Sequence, residues 1–296
     1  MIDLHTHTTA SDGGDSPTEL VIKAAAAGIT SLAVTDHDND LGLNEAQAAG
    51  REHGVEVIRG VEISCDVEDL ESRGYHPRGR PTMHLLGYFI PEHDNPLSDE
   101  LAELRHHRAN RNALMVERLN ELGIPMTFEE VENEAGGPGA QIGRPHFAAV
   151  LVRHGAVPDY QAAFDRYLAK GAPGYLSRKL LKPDEAIALM LSASVVPALA
   201  HPFTLNLSSD ELERFVDALV GAGLRGIEGY HGDMPEADQE PFRALGRAKG
   251  LIVSGGSDYH GDMRPDRGLP GGKYNVTVPD EALDEIRSLA GHLPPR

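Results

Sequence analysis

Cysteine is nearly absent from this chain. Cys65 is the single one in 296 residues, so no disulfide can form within it. A chain of this length buries most of the surface its unfolded form exposes, and so needs neither a disulfide nor a structural metal to fold. Long apolar runs are missing too. None approaches the ~20 residues that a membrane helix requires. The opening Met-Ile-Asp-Leu-His lacks the basic, apolar and cleavage regions of a secretory leader. These absences lead us to expect a cytoplasmic protein with no membrane association. Positive charge is scarce: 27 Lys and Arg stand against 46 Asp and Glu, a net charge of −19. An excess of that size repels nucleic-acid backbones at long range and argues against a DNA- or RNA-coating protein. It leaves room for a small phosphorylated substrate in a cleft where metal ions supply the positive charge. No internal repeat or low-complexity tract is apparent, and the length suits one large domain or a domain carrying an insert.

What is present alternates strand and helix. "MIDLHTH" reads as a strand. "SPTELVIKAAAAG" reads as a helix, with Ser16 as N-cap, Pro17 at the first helical position, Glu19 completing a capping box and Gly28 ending it. "ITSLAVTDHD" is an apolar strand with a polar end, and "LGLNEAQAAGREHG" a helix closed by Gly54. "VEVIRGVEIS" and "MHLLGYFI" are further strands. This rhythm favours a parallel α/β fold. It breaks after Pro96, and residues from about 98 to 193 read as mostly helical, with no convincing strand. It resumes with "SVVPALAHP", "RGIEGYH" and "LIVSGGSDYH" as strands separated by helices. We expect a barrel built from residues 1–97 and 194–296, interrupted by an all-helical insert over 98–193 that caps the barrel mouth.

The strand ends carry the chemistry. His5 and His7 end the first strand, Asp36 and His37 the second, and Glu62 the third; His84, His201, Asp258 and His260 belong to later ones. Ligands of parallel α/β folds gather at the carboxyl ends of strands, and imidazoles with carboxylates suit divalent metals. Each motif alone has an ordinary explanation. His-x-His puts two imidazoles on one strand face but is common by chance. Asp36 or Asp38 of "TDHD" could cap a helix. Glu62 could be a solvated strand end, His84 a core histidine, and Asp258 a turn residue bonding its own backbone. Together they are harder to dismiss, because so many titratable groups at one barrel mouth are costly without a compensating cation. By contrast His53, His106, His107 and His154 fall on helices and read as solvated or structural.

In this order, "DLHTHTTASDG", "TDHD", "GVEIS", "HLLGY", "AHP" and "GSDYH" closely resemble the motifs of the PHP (polymerase and histidinol phosphatase) phosphoesterases. The resemblance spans His5 to His260. It implies a distorted (β/α)7 barrel with a metal cluster at its mouth. It assigns His5, His7, Glu62 and Asp258 to one metal, with Glu62 bridging to a second that His84 and His201 also hold. Asp12, His37 and His260 go to a third. Several family members have a histidine where this chain has Asp12, which leaves the occupancy of the third site open. Two or three divalent ions are therefore expected, from Mn²⁺, Zn²⁺ and Fe²⁺, since imidazole-rich ligation disfavours an all-Mg²⁺ cluster. The helical insert and "GRPHFA…GYLS" look like the stand-alone branch. Its members remove the 3′-phosphate from nucleoside 3′,5′-bisphosphates, and some act as 5′→3′ exoribonucleases on short RNA.

Clustered divalent ions suit ester hydrolysis by a metal-activated hydroxide. Asp12, His37 and His260, near the third site, are placed to help the leaving alkoxide if that site is partly vacant. The stretch from Arg144 to Lys182 carries Arg144, Arg153, Arg166, Lys170, Arg178, Lys179 and Lys182 against only Asp159 and Asp165, a net of 7 − 2 = +5. Most such runs are solvated helical faces. Arg144 and Arg178, however, sit at junctions where a guanidinium can clamp a phosphate. Arg144, Lys170 and Arg178 are the expected substrate contacts, with His146 and Tyr175 as flanking or base-stacking groups or as core. Three rivals remain: a histidinol-phosphatase-like enzyme on another small phosphomonoester, a metal-dependent amidohydrolase, and a non-catalytic metal-binding module. No obligate protein partner is expected.

Overall fold

The computed structural model describes residues 1–67, 70–79, 81–137 and 142–292. It divides into two compact units, Met1–Leu101 with Leu180–Arg296, and Ala102–Lys179.

The first unit is a seven-stranded sheet in sequential order, β1 (Ile2–Thr6), β2 (Ser31–Val34), β3 (Glu56–Ser64), β4 (His84–Tyr88), β5 (Val196–Leu199), β6 (Gly226–His231) and β7 (Ile252–Gly256). Past the last strand, Asp258 N–H donates to His5 O at 3.0 Å and His7 N–H to Tyr259 O at 2.9 Å. These bonds bring β7 round to β1 and nearly close the barrel. Gly256 permits the approach, since a Cβ there would lie 2.5 Å from His5 N. The expected parallel sheet is broken at one strand: β4 runs antiparallel to both β3 and β5. No helix separates β3 from β4 among the described residues, so the chain returns without the crossover that a parallel pair needs.

Helices α1 (Pro17–Ala26) and α2 (Leu43–His53) follow β1 and β2. The expected capping box holds, with Glu19 N–H donating to Ser16 Oγ and Ser16 N–H to Glu19 Oε2. Gly28 and Gly54 take positive φ just past the two helices. Helix α3 (Pro96–Glu121) runs through the boundary between the units. The second unit continues with α4 (Phe128–Glu134), α5 (Arg144–Arg153) and α6 (Tyr160–Ala163), the last running into a π-turn over Phe164–Leu168. Its described residues form helices and loops around a core that includes Met115, Leu119, Phe147, Leu151 and Leu168.

Helix α7 (Pro183–Ser192) belongs to the barrel unit, not to the helical stretch expected to reach residue 193. It buries Ala186, Ile187 and Met190 and packs on β4 and β5. A helix that covers a sheet and a helix that packs on helices show the same apolar stripe in sequence. The barrel is completed by α8 (Ser209–Ala222), α9 (Glu236–Ala248) and α10 (Asp280–Ala290).

Candidate metal centre

His5 lies on β1 and His7 just past its end, two residues on, and both rings are fully buried. His37 follows β2 and Glu62 lies within β3; His201 follows β5, and Asp258 and His260 follow β7. His84 opens β4 instead of ending it. Because β4 is antiparallel, its first residue pairs with Ser64 at the end of β3. The start of this one strand therefore lies on the same rim as the ends of its neighbours. Asp12, from the loop after β1, is the most open member, its side chain 43 % exposed.

Glu62 is the hub. Its Oε1 lies 2.7 Å from His84 Nδ1 and 2.7 Å from His201 Nε2. Its Oε2 faces His37 Nδ1 at 3.0 Å, His7 Nε2 at 3.2 Å and His5 Nε2 at 3.3 Å. Asp258 Oδ1 stands 3.2 Å from His7 Nε2 and 3.5 Å from both His5 Nε2 and His260 Nδ1. Asp12 Oδ1 is 3.4 Å from His260 Nε2 and 3.8 Å from His7 Nδ1, and its Oδ2 is 3.8 Å from His37 Nε2. His5 Nε2 and His7 Nε2 approach to 3.1 Å.

This donor set fits divalent metals. Glu62 Oε2 and Asp12 Oδ1 are buried without hydrogen-bond partners among the described residues, although ring nitrogens lie close to each. Lone pairs brought together in this way suit a cation. Among the described residues, ligand-type atoms within 4.8 Å of one another form the groups His7–Asp12–His37–His260, His5–Glu228–His231, His5–His7–Asp258 and His37–Glu62–His84. Electrostatics agree. Burial pushes the Glu62 carboxyl up, but the imidazoles of His37, His84 and His5 outweigh it and hold the carboxyl well below its ordinary range. Burial likewise opposes the charge on His37, yet Glu62 and Asp12 raise it to about 9. Burial lowers His84, and the like charges of His37 and His201 add to that. The site thus calls for positive charge and keeps a proton where no other cation stands. The backbone is strained in the same place: His201 (φ 25°) and Asp258 (φ 54°) occupy the left-handed region, at a cost of about 1–3 kcal/mol each.

A family model for the PHP domain matches residues 3–174. The chain belongs to the PHP domain family. It is 34 % identical over 259 residues to a 3′,5′-nucleoside bisphosphate phosphatase of Chromobacterium violaceum, covering 88 % of this chain and 87 % of that one. It is 31 % identical over 258 residues to a 5′-3′ exoribonuclease of Haemophilus influenzae, covering 87 % and 89 %. A solved structure from Bifidobacterium adolescentis, described as a metal-dependent phosphoesterase, superposes with a TM-score of 0.79 at 30 % identity, covering 97 % of this chain and 96 % of that one. The barrel expected from the sequence is thus a fold this chain shares with a solved structure.

The PHP site also contains residues that the strand-end reading passed over. Glu228 and His231 lie on β6 and are buried. The two are three apart, so plain alternation sends them to opposite faces. The β6–β7 register shifts between Glu228 and Tyr230, a bulge that restores His231 to the inner face. An acid inside an apolar strand was the available signal. Glu228 Oε1 lies 3.0 Å from His5 Nδ1, and Oε2 accepts from His201 N–H at 2.6 Å. One carboxylate therefore orients a ring on β1 and holds the strained backbone after β5. A Glu228→Ala variant is expected to bind divalent metal roughly 10–100-fold more weakly, measured by titration against a competing chelator. Glu228→Gln should recover only part of this, because its amide NH₂ would face either the His5 ring or the His201 N–H. Arg267, far from any strand end, pairs with the Asp258 and Asp233 carboxylates.

Asp36 and Asp38 cap no helix. Asp36 accepts from Thr8 N–H (2.8 Å), Thr8 Oγ1 (2.7 Å) and Ser11 Oγ (2.5 Å), which ties the loop carrying Asp12 to β2. Asp38 accepts from Ser64 N–H at 2.8 Å. In the helical unit, Arg144 opens α5 with its guanidinium 5.5 Å from the centre of the Tyr175 ring. His146 is buried, and its Nδ1 accepts from Gly143 N–H at 3.0 Å, so that nitrogen closes the start of α5. Lys170 is exposed and Arg178 half-buried. His53 and His107 are exposed, His106 bonds Asn110 on α3, and His154 bonds Glu130 and Pro125 O.

Proposed function

We propose that this chain is a metal-dependent phosphoesterase that removes the 3′-phosphate from nucleoside 3′,5′-bisphosphates, with short 5′-phosphorylated RNA as a secondary substrate. The observation that carries the reading is the position of Glu62, whose two oxygens face separate groups of imidazoles. A carboxylate so placed suits a bridge between two metals. In this reading His5, His7, Glu62 and Asp258 hold one ion, Glu62, His84 and His201 a second, and Asp12, His37 and His260 a third. The ions are Mn²⁺, Zn²⁺ or Fe²⁺, because the donors are mostly imidazole. Divalent ions bound there lower the pKa of a water and neutralise charge developing on the phosphoryl oxygens. With the third site partly vacant, Asp12, His37 and His260 handle the proton of the leaving group. Arg144, Lys170 and Arg178 hold the remaining phosphate, and Tyr175 and His146 flank the nucleoside. An amidohydrolase using a carboxylated lysine fits less well, since no lysine stands at the carboxyl end of a barrel strand. A cytoplasmic setting suits a chain whose single cysteine, Cys65, is buried. No described helix is long and apolar enough to cross a membrane.

Two phosphates on one ribose offer two handles, one for cleavage and one for orientation. The kinetic test compares adenosine 3′,5′-bisphosphate, 3′-AMP, 5′-AMP and histidinol phosphate with Mn²⁺ present. The bisphosphate should exceed 3′-AMP in kcat/KM by about tenfold or more, the worth of one charge-assisted contact. Equal values would remove the two-handle reading, and a preference for histidinol phosphate would replace it.

A further inference from the structure

Asp258 occupies the left-handed region of backbone space at φ 54°, a strained position for a residue with a side chain. Its two carboxylate oxygens have different surroundings. Oδ1 faces the imidazoles of His5, His7 and His260. Oδ2 is taken by Arg267, a guanidinium only 6 % exposed. Arg267 Nη1 donates to Oδ2 and also, at 2.9 Å, to the main-chain carbonyl of Asp258. One nitrogen thus spans the carboxylate and the carbonyl of the same residue. His231 Nε2 lies 3.7 Å from Oδ2 as well.

Asp233 ties these groups together. Its carboxylate accepts from Arg267 Nη2, and its N–H donates to His231 Nδ1 at 3.1 Å. A ring nitrogen that accepts carries no proton, so in a neutral His231 the proton stands on Nε2, the nitrogen nearer Asp258. Asp233 follows β6 and Asp258 follows β7. A Cβ at Gly232 would lie 2.6 Å from Ser257 O and 2.8 Å from Gly272 Cα, so glycine is what lets these loops close on each other. Gly232 N–H donates to Gly256 O at 3.0 Å, and Tyr274 N–H to Gly232 O at 3.1 Å. A buried ion pair is weak evidence for stability, because desolvation cancels much of its attraction. A cation behind a metal ligand also opposes metal binding by charge alone. What the arrangement supplies is direction, since a carboxylate free to turn could offer either oxygen or both.

We propose that Arg267 is a positioning residue that, braced by Asp233, occupies Oδ2 of Asp258 and leaves Oδ1 alone to ligate metal. This role rests on the reading above in taking Asp258 as a ligand. Two effects of the arginine oppose each other. Its charge repels a metal ion held by Asp258, so removing it would tighten binding. Its fork fixes the ligand, so removing it would loosen binding. The carboxylates of Asp258 and Asp233 both bond the guanidinium and offset its charge, so orientation should win. Losing a group that orients a metal ligand typically lowers affinity roughly 10–100-fold.

The test titrates the metal-free full chain with Mn²⁺ against a competing chelator and follows thermal unfolding of the same metal-free samples. Arg267→Met should weaken the binding of at least one ion about 10–100-fold. It also strips two carboxylates of their counter-charge and should lower stability, so the deciding variants are Arg267→Lys and Asp233→Asn. Lysine keeps the positive charge but not the planar fork. R267K should unfold near the wild-type temperature yet bind Mn²⁺ about tenfold more weakly. D233N keeps the bonds from Arg267 to Asp258 and removes only the brace, so it should weaken binding by less. A crystal of the Mn²⁺-loaded wild type should show Oδ1 on metal and Oδ2 on Arg267. R267K binding Mn²⁺ as wild type does would show a merely structural ion pair and overturn the proposal. Tighter binding in R267M, or a loaded crystal with both Asp258 oxygens on metal, would overturn it too. Asp258→Ala separates this role from the ligand reading. Mn²⁺ bound by D258A as by wild type refutes Asp258 as a ligand and the proposal with it, whereas metal lost in D258A but bound at full affinity by R267K removes only the role given to Arg267.

Discussion

Replacing His5 and His7 together by alanine is expected to give a folded chain that retains no divalent metal and has lost nearly all phosphoesterase activity. Both rings are fully buried and point into the space shared by Glu62 and Asp258. The neighbouring imidazoles of His37, His201 and His260 are already committed to other parts of the group. Bound metal contributes several kcal/mol to the transition state in reactions of this class. At about 1.4 kcal/mol per factor of ten, the loss is on the order of 1000-fold or more. The barrel should survive, because strand pairing from β1 to β7 runs through backbone groups that neither substitution touches. Elemental analysis, phosphate release and circular dichroism on one preparation check the three parts. Metal retained at wild-type stoichiometry in the double variant would refute the ligand assignment.

Glu62→Gln should do almost as much by a different route. Glutamine keeps the volume of the side chain but has one acceptor oxygen and an NH₂ that can only donate. Whichever way it turns, that NH₂ confronts either His84 and His201, or His5, His7 and His37. One of the two groups then loses its carboxylate. We expect at least one equivalent of metal to be lost and kcat to fall by about two to three orders of magnitude. KM should change much less, because the arginines assigned to the remote phosphate are on other elements. Full metal content with unchanged kcat would show that Glu62 bridges nothing.

Much of the site was legible before any coordinates. Five of the segments that carry it end in polar residues after an apolar strand, and a strand end is a local feature. His5 and His7, two residues apart, had to share a face. The capping box of Ser16 and Glu19 formed as read, because a cap depends on four neighbouring residues and on nothing distant. Glu228 and His231 stayed hidden because a bulge between them reverses the alternation, and a bulge is set by pairing with β7. Arg267 stayed hidden because its carboxylate partners, Asp258 and Asp233, are nine and thirty-four residues away.

The residues by themselves determined the alternation of strands and helices, the acidic surface, the chemical kind of the ligands and the motif order that marks a PHP chain. Each follows from short-range pattern or from composition. The tertiary structure alone decided that β4 turns antiparallel and so delivers His84 to the rim from the wrong end of its strand. It decided that α7 serves the barrel, that Asp36 and Asp38 clasp loops instead of capping helices, and that Glu228 joins His5 to His201. These outcomes depend on which distant segments meet, and a local pattern holds no record of its partners.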